Sequence, residues 1–257
     1  MKFKWYGTAS LLLESGGTRI LFDPYLRSYA RGAPLPLREA RTADAVFITH
    51  PHPDHFADID AFSAGSLPVY VSRGGVGTAR RNGLRAECMR PVAAGDRVTI
   101  GALTVCAYPS RHCKYDVPTV LRILFSPRTW LRAADCLALL REAKRFPAGE
   151  KDVLAYSVSD GEKTALIFGS AGMERGADYP KGADLLVFPY QGRADMDREI
   201  VPFLTELVPR RVTIDHFDDA FPPVTHRVRT AGFVRTVKKH LPSADAFVPE
   251  RGEWYEI

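Results

Sequence analysis

The chain has 257 residues, 46% of them hydrophobic and 25% charged, and carries a net charge of +5 at pH 7. This globular balance fits one large α/β domain or two small ones, and no apolar run approaches the roughly 20 residues of a membrane span. The positive charge favours an anionic substrate or surface, but it is too dispersed to indicate a nucleic-acid-binding stripe.

The cellular location is predicted from the first residues and from the cysteines. Residues 1–5 lead directly into an alternating pattern, so we expect no leader peptide. The four cysteines show no CxxC spacing, which is typical of free thiols in a reducing compartment: Cys88, Cys106, Cys113 and Cys136. We therefore expect a cytoplasmic protein.

Strand patterns dominate the first half of the chain. Residues 2–6 alternate, residues 10–14 follow, and a Gly-Gly turn leads into residues 18–22. An Arg- and Pro-rich loop is predicted at residues 27–41. The continuous apolar run at residues 45–48 indicates a strand buried on both faces. Beyond it we expect a helix at residues 56–62, a strand at 69–71, a helix at 76–82 and a hairpin at 95–105.

The second half again alternates strands with helices. Strands are predicted at residues 153–158, 164–168, 185–188, 211–214, 246–248 and 253–255, and helices at residues 196–207 and 228–240. Two strand-rich halves with helices after the strands indicate two sheets packed face to face, with the helices outside.

Residues 49–56, with the sequence Thr-His-Pro-His-Pro-Asp-His-Phe, hold three of the seven histidines of the chain. A polar surface loop that happens to be rich in histidine is the less expected interpretation. The composition favours a metal site, since zinc binds His nitrogen and Asp oxygen at about 2.0–2.2 Å. The prolines restrict the backbone, which lowers the entropy lost when ligands are fixed. The turn also follows a buried strand, where α/β folds commonly place their ligands.

The order His50-x-His52-x-Asp54-His55 after an apolar strand resembles the metallo-β-lactamase superfamily, and the likeness extends along nearly the whole chain. The resemblance implies an α/β fold, an αββα sandwich of two mixed β-sheets with outer helices. It implies a single domain over residues 1–257, with the site at one edge of the sandwich between the sheets.

The resemblance also assigns site residues from separate parts of the chain. His112 ends a strand after the predicted hairpin, and His216 lies in an Asp-rich run near the last third of the chain. Asp23, at the end of the third strand, matches an early aspartate that supports the histidine loop. The implied metal ligands are His50, His52 and His112 for a first ion, and Asp54, His55 and His216 for a second.

One position departs from the family pattern. After the strand ending at Phe168 the family usually carries Gly-Asp, and that aspartate bridges the two metals, whereas this chain has Gly169-Ser170. A serine hydroxyl is a weak, neutral ligand. We therefore expect the second ion to bind more weakly, or to recruit Asp218, Asp215 or an anionic substrate, with Asp218 as the preferred substitute.

Residues 117–151 do not fit the core pattern and predict a helical insertion. Apolar residues are interspersed there with arginines and lysines, and Pro127 divides the segment, so two short helices are expected. Four roles stand open: a decoration that covers a sheet edge, a lid over the metal site, a dimer contact, or a membrane-surface patch. As a lid, the segment would suit an anionic or amphiphilic substrate.

The leading functional hypothesis is a metal-dependent hydrolase acting on an ester, lactone, amide or phosphodiester bond in a small anionic substrate. One or two Zn²⁺ ions are expected, with Mn²⁺ or iron as alternatives; the metal would lower the pKa of a water toward ~7, and Asp54 would orient or deprotonate that water. A nuclease of the same superfamily, a non-catalytic metal-binding relative and redox chemistry on iron are the competing hypotheses. Nucleic acid is the less expected partner, because the sequence has no regularly spaced aromatic and basic stripe.

Overall fold

The computed structural model describes residues 1–26, 35–62 and 67–257. Fourteen strands lie within these ranges, and most of them match the predicted positions. Their bounds are Lys2–Gly7 (β1), Ser10–Ser15 (β2), Thr18–Phe22 (β3), Ala45–Phe47 (β4), Val69–Val71 (β5), Met89–Pro91 (β6), Arg97–Ile100 (β7), Leu103–Pro109 (β8), Leu154–Ser159 (β9), Thr164–Phe168 (β10), Leu185–Pro189 (β11), Arg211–Asp215 (β12), Asp245–Phe247 (β13) and Trp254–Glu256 (β14).

The described strands form two seven-stranded sheets. The first has the order β14-β1-β2-β3-β4-β5-β6, and the second has the order β13-β12-β11-β10-β9-β8-β7. In the first sheet the strands from β14 to β3 are antiparallel and those from β3 to β6 are parallel. In the second sheet β7 to β10 are antiparallel and β10 to β13 are parallel. Both sheets are therefore mixed, as predicted.

Helices connect the parallel strands and form the insertion. Those in the described part of the chain are Leu37–Ala40 (α1), Pro53–Phe56 (α2), Arg73–Arg81 (α3), Val117–Leu124 (α4), Pro127–Leu131 (α5), Ala133–Arg145 (α6), Met196–Glu199 (α7), Val201–Leu207 (α8) and Ala231–His240 (α9). None of these helices has both the length and the apolar character that crossing a membrane requires.

The two sheets face each other across an apolar core. Phe22 and Phe47 of the first sheet are in ring contact with Tyr156 of the second, at centroid distances of 5.9 and 5.4 Å. The Tyr156 hydroxyl crosses the interface and donates a hydrogen bond to the Ile48 carbonyl oxygen at 2.9 Å. Because this ring fills the space next to the end of β4, it fixes the point at which the histidine loop leaves the first sheet.

Helices cover the two outer faces. Successive strand residues point to opposite faces, so Leu21 points away from the core that Phe22 enters, and it packs in a cluster with Phe56 of α2 and Ala79 of α3. On the second sheet, Phe168 contacts Phe203 of α8 with a ring distance of 4.9 Å. The layers therefore run helices, sheet, sheet, helices, which confirms the predicted αββα sandwich.

Some predicted elements differ from those observed. Where one helix was predicted at residues 56–62, the structure has the short helix α2, which ends at Phe56, and a 3₁₀ turn at Ile59–Ala61. Helix α2 begins at Pro53, because proline at the first helical position already has the helical φ angle. The helix predicted at residues 196–207 is divided into α7 and α8, since Pro202 cannot donate to the helical hydrogen-bond ladder. The insertion has three α-helices rather than two, with an additional break at Arg132, whose backbone is not helical.

Three further differences concern short segments. Strand β6 was not predicted, and α9 begins at Ala231 rather than at residue 228. Most of the predicted loop at residues 27–41 lies outside the described residues; its last part contains α1.

Candidate metal centre

The predicted ligands lie at one edge of the sandwich. The histidine loop follows β4, His112 follows β8 and His216 follows β12, and these three strand ends meet there. Backbone hydrogen bonds hold the two sheets together at this edge: the Leu154 N–H donates to the Thr49 carbonyl oxygen at 2.8 Å, and the His216 N–H donates to the Thr8 carbonyl oxygen at 2.9 Å. The relative position of the ligand segments is thus set by the packing of the sheets.

His50, His52 and His112 form the first group. One ligand atom from each lies within 4.8 Å of the corresponding atoms of the other two. The imidazole rings stand roughly perpendicular to one another, with interplanar angles near 70° and centroid distances of 4.7 Å (His50–His52), 5.1 Å (His50–His112) and 4.4 Å (His52–His112). His50 is buried and His112 is exposed, so the group is closed on the sheet side and open to solvent on the other.

Asp54, His55 and His216 form the second group. The two Nε2 atoms of its histidines are 3.2 Å apart, and the Asp54 Oδ2 atom lies 3.4 Å from His55 Nε2 and 3.7 Å from His216 Nε2. The groups are adjacent, because the rings of His50 and His55 lie with their centroids 3.9 Å apart. The structure therefore brings together all six predicted ligands in two neighbouring sets of three.

Asp23 supports the histidine loop through contacts with Thr49 and His55. Its Oδ1 accepts a hydrogen bond from the Thr49 N–H, and its Oδ2 accepts one from the Thr49 hydroxyl, both at 2.7 Å. The same Oδ2 lies 2.9 Å from Nδ1 of His55. Since the Thr49 hydroxyl hydrogen is directed to Asp23, its oxygen accepts from Nδ1 of His50, 3.1 Å away. Asp23 thus orients both imidazole rings, one directly and one through Thr49.

Asp215 orients the last histidine in the same way. Its Oδ1 accepts a hydrogen bond from His216 Nδ1 at 2.7 Å, and the carboxylate is buried. With the Nδ1 hydrogens of His50, His55 and His216 held by oxygen atoms, the Nε2 lone pairs of these rings remain for a cation. This convergence of lone pairs on two points is the donor arrangement that a divalent metal requires, so the residues present fit one.

The two groups differ in their electrostatics. Burial lowers the pKa of His50 well below its usual value and that of His52 to about 4, so the first group presents neutral imidazoles. Burial alone would lower the pKa of His55, yet the carboxylates of Asp54 and Asp23 raise it to about 10. Burial would likewise lower the pKa of His216, but the carboxylate of Asp215 raises it to about 9. The carboxylates of the second group therefore favour a positive charge at this point, which is held either by the Nε2 protons of the two imidazoles or by a metal cation that replaces them.

Backbone strain is concentrated at this edge. Asp23, His216 and Thr8 all have positive φ angles, of 44°, 55° and 49°, in the left-handed region that non-glycine residues rarely adopt. Each such residue costs on the order of 1–3 kcal/mol unless its surroundings impose the conformation. Here the imposed conformations direct Asp23 toward the histidine loop and His216 toward Asp54.

Ser170 occupies the position where the family pattern has the bridging aspartate. Its hydroxyl oxygen accepts a hydrogen bond from the Cys113 N–H at 2.8 Å, next to His112. The neighbouring Gly169 lies against Thr49, where a Cβ atom would come within 1.9 Å of the threonine hydroxyl. Ser170 is therefore tied to the backbone of the segment that carries His112, and its predicted role as an additional ligand stays a prediction.

Asp218, the preferred substitute ligand, is held by a different part of the chain. Its two carboxylate oxygens accept hydrogen bonds from the Thr8 N–H at 3.1 and 3.0 Å. Among the described residues, the two sets of converging ligand atoms do not include it. This placement supports a role for Asp218 in fixing the strained Thr8 turn beside His216, while its part in metal binding is a prediction.

Sequence reasoning missed the roles of Thr49 and Tyr115. Thr49 lies between the buried strand and His50, and this position is the sequence signal for its role in holding the histidine loop. Loss of solvent around the phenol raises the pKa of Tyr115, and the negative charge of Asp54 raises it further. The Tyr115 phenol is therefore close enough to the second group for the charge of Asp54 to act on it.

The helical insertion is attached to two loops that adjoin this centre. Asp116 caps α4. Its two carboxylate oxygens accept a hydrogen bond from the N–H of Ala194, which lies in the loop after β11, at N–O distances of 3.3 and 3.1 Å. Arg128 of α5 forms an ion pair with Asp219 at 2.6 Å and donates to the Thr225 carbonyl oxygen at 3.2 Å, in the segment after His216. The insertion therefore lies beside the centre and is held there at two points.

Curated relatives match parts of the chain. A "UPF0173 metal-dependent hydrolase" of Flavobacterium johnsoniae is 35% identical over 72 residues, covering 28% of this chain and 32% of that protein. A "UPF0173 protein" of Pyrococcus abyssi is 30% identical over 125 residues, covering 46% of this chain and 52% of its own length. The chain thus spans about half or less of the length of these relatives.

The fold is similar to solved structures over its full length. The metallo-β-lactamase fold protein YhfI of Bacillus subtilis superposes with a TM-score of 0.61 at 17% sequence identity, covering 99% of each chain. A family model described as the beta-lactamase superfamily domain matches residues 18–217, which is well over half of the sequence. With the histidine motif, the sandwich and this match in agreement, the chain belongs to the β-lactamase superfamily.

Proposed function

We propose that the protein is a metal-dependent hydrolase that breaks an ester, lactone or phosphodiester bond in a small anionic substrate. The observation that carries this proposal is the pair of adjacent ligand sets, His50, His52 and His112 beside Asp54, His55 and His216. The name of the Flavobacterium relative, a metal-dependent hydrolase, supports the same activity.

The donor chemistry indicates which metals the residues would hold. Three imidazole nitrogens with one side open to solvent are the protein ligands of a catalytic zinc site, so the first group would hold Zn²⁺. The second group, two histidines and one carboxylate, suits zinc, manganese or iron. When bound, such a cation supplies Lewis acidity, which polarises the substrate oxygen and lowers the pKa of an attacking water.

The residues of the chain supply positioning and proton transfer. Asp54 would orient the attacking water and accept its proton, since the charge of this carboxylate from the second group is also felt at His52 and His112 of the first. Asp23 and Asp215 keep the Nδ1 hydrogens of His55 and His216 in place throughout. The water oxygen joins the acyl carbon or the phosphorus, the bond to the leaving oxygen breaks, and that oxygen takes up a proton.

An anionic substrate is supported by the net positive charge of the chain and of the insertion that adjoins the centre. The chain carries an excess of positive charge, and the insertion beside the centre holds several of its arginines and lysines. Cationic side chains close to a site raise the local concentration of an anionic substrate and speed its association.

The proposal is tested by metal analysis and turnover of the same preparation. Protein purified without added metal should contain at least one equivalent of metal. After treatment with a chelator, turnover of a panel of esters, lactones and phosphodiesters should be lost, and adding zinc or manganese should restore it. Absence of metal-dependent turnover across the panel, with metal bound, would favour the non-catalytic alternative. Salt-sensitive binding of RNA or single-stranded DNA would instead favour the nuclease.

Replacing Ser170 by aspartate tests the missing bridge. We expect Ser170→Asp to strengthen binding of the second ion by about tenfold, because it adds a negative charge beside two cation-binding groups. Titration calorimetry with Zn²⁺ or Mn²⁺ resolves the two binding steps. Ser170→Asn is the matched control, since it has the same size without the charge. Equal second-ion affinities in the two variants would contradict the prediction.

A further inference from the structure

The helical insertion exposes an unusual apolar surface. Val117, Leu121 and Leu124 follow one face of α4 at i, i+4 and i+7 spacing, and their exposed fractions are 70%, 46% and 52%. Phe125, at the C-terminal end of α4, and Leu131 of α5 are also exposed, by 78% and 85%. We call the apolar patch the set Val117, Leu121, Leu124, Phe125, Trp130 and Leu131. Exposed apolar residues are normally scattered singly, and a contiguous set of this size indicates a binding surface.

The orientation of the apolar patch is fixed by the polar contacts beneath it. Thr119 on the opposite side of α4 is buried, and the Arg128–Asp219 ion pair holds α5 on the body of the protein. The Trp130 indole N–H donates to the Leu124 carbonyl oxygen at 2.7 Å, which satisfies its polar atom and leaves the ring 71% exposed. With α4 and α5 held on the protein by these contacts, the apolar patch faces solvent.

Positive charge is concentrated in the same segment. Residues 114–145 contain seven lysines and arginines against three aspartates and glutamates, a net charge of +4 out of +5 for the whole chain. Arg122 and Arg141 are exposed within it. Apolar side chains that include Trp, Phe and Leu, bordered by Lys and Arg, are the composition of helices that lie in the interface of an anionic bilayer.

Two other uses of the patch fit less well. The three helices have 8, 5 and 13 residues, which is too short for a membrane span. In a two-fold dimer the apolar patch of one subunit would contact that of the other. The two copies of this segment, each with a net charge of +4, would then repel each other. An anionic lipid surface satisfies both the apolar residues and the charge.

We infer that the apolar patch and its bordering arginines dock the protein on the surface of an anionic lipid bilayer. The apolar side chains enter the boundary between headgroups and acyl chains, and the cations contact the anionic headgroups. This inference concerns binding alone and stands independently of the proposed hydrolase activity.

Vesicle binding tests it with the full-length protein. The protein should sediment with vesicles of an equimolar mixture of phosphatidylcholine and phosphatidylglycerol, and at least about tenfold less with phosphatidylcholine alone. Binding should weaken as salt is raised. The tryptophan emission should shift to shorter wavelength on binding. Trp130→Phe should remove most of that shift, because Trp5 is buried in the core and Trp254 is half-buried in β14 beneath Lys2 and Lys4.

Paired variants separate the contribution of the apolar side chains to vesicle binding from that of the arginines. Phe125→Ser with Leu131→Ser, and separately Arg122→Glu with Arg141→Glu, should each weaken binding to the mixed vesicles by about tenfold or more. The matched control is Lys238→Glu with Lys239→Glu, the same charge change on exposed residues of α9, which should change binding less than about threefold. Thermal unfolding checks that each variant is folded, as expected for exposed positions.

Three results would overturn the inference. The first is absence of binding to the mixed vesicles at low salt. The second is an equal loss of binding in the α9 control, which would show attraction by net charge without a defined surface. The third is a dimer in solution that Phe125→Ser with Leu131→Ser dissociates, without vesicle binding, which would assign the patch to a second copy of the chain.

Discussion

His112→Ala will abolish metal binding at the first group and lower metal-dependent turnover by roughly a thousandfold or more. His112 is the ligand that the second sheet contributes to this group, and without it two imidazoles cannot hold the ion in a site open to solvent. The loss corresponds to the several kcal/mol that a cation contributes to stabilising developing charge. Metal content after gel filtration, and affinity measured in competition with a chromophoric chelator, check the binding part without any substrate.

The folded state should survive this change. The His112 side chain is exposed, so its removal leaves no buried cavity, and the melting temperature of the metal-free protein should change little. His240→Ala is the matched control, because His240 ends α9 and belongs to neither group. Undiminished metal content in His112→Ala, or an equal loss in His240→Ala, would show that the first group does not bind the metal.

Asp23→Ala will lower the free energy of unfolding by about 3–5 kcal/mol and weaken metal binding by about 10- to 100-fold. The buried carboxylate accepts hydrogen bonds from the N–H and the hydroxyl of Thr49 and contacts Nδ1 of His55, and its removal leaves all three without that partner. The strained backbone at residue 23 would also lose the contacts that impose it. Urea unfolding of the metal-free protein measures the stability, and chelator competition measures the metal affinity.

The control for this change lies in the second sheet, at the end of β11 that is farther from His216. Asp184, just before β11, accepts hydrogen bonds from the Thr164 N–H at 3.0 Å and the Lys163 ammonium at 3.1 Å. Asp184→Ala should lower stability by about 1–2 kcal/mol, because the group is partly solvated, and leave metal affinity unchanged. If Asp23→Ala binds metal as tightly as Asp184→Ala does, Asp23 has no role in orienting the ligands.

The histidine loop was the part of the centre most accessible to sequence reasoning. His50, His52, Asp54 and His55 lie within six residues of one another, and the loop follows a strand whose apolar run is unmistakable. Short-range spacing on a turn after a strand leaves few ways to place these side chains. The metal-binding role itself remains the prediction that the His112→Ala experiment tests.

The partners of these ligands were harder to predict, because they are set by contacts between distant segments. Asp215 was considered a substitute ligand, yet its carboxylate orients His216 through Nδ1. Ser170 stands where a bridging aspartate was expected and is hydrogen-bonded to the backbone beside His112. Residue type and spacing could not distinguish a metal ligand from a residue that orients a ligand by a hydrogen bond, because both roles use the same polar side chains.

The sequence by itself determined most of the strand pattern of the two sheets, the position of the histidine loop and the helical character of the insertion, because these depend on local periodicity and on neighbouring residues. Only the tertiary structure decided how far His112 and His216 lie from that loop, which carboxylates hold the imidazole rings, and that the apolar face of α4 points to solvent. The physical reason is that these features depend on how the two sheets pack and on what each helix covers. Packing joins residues more than a hundred positions apart, and no local pattern records it.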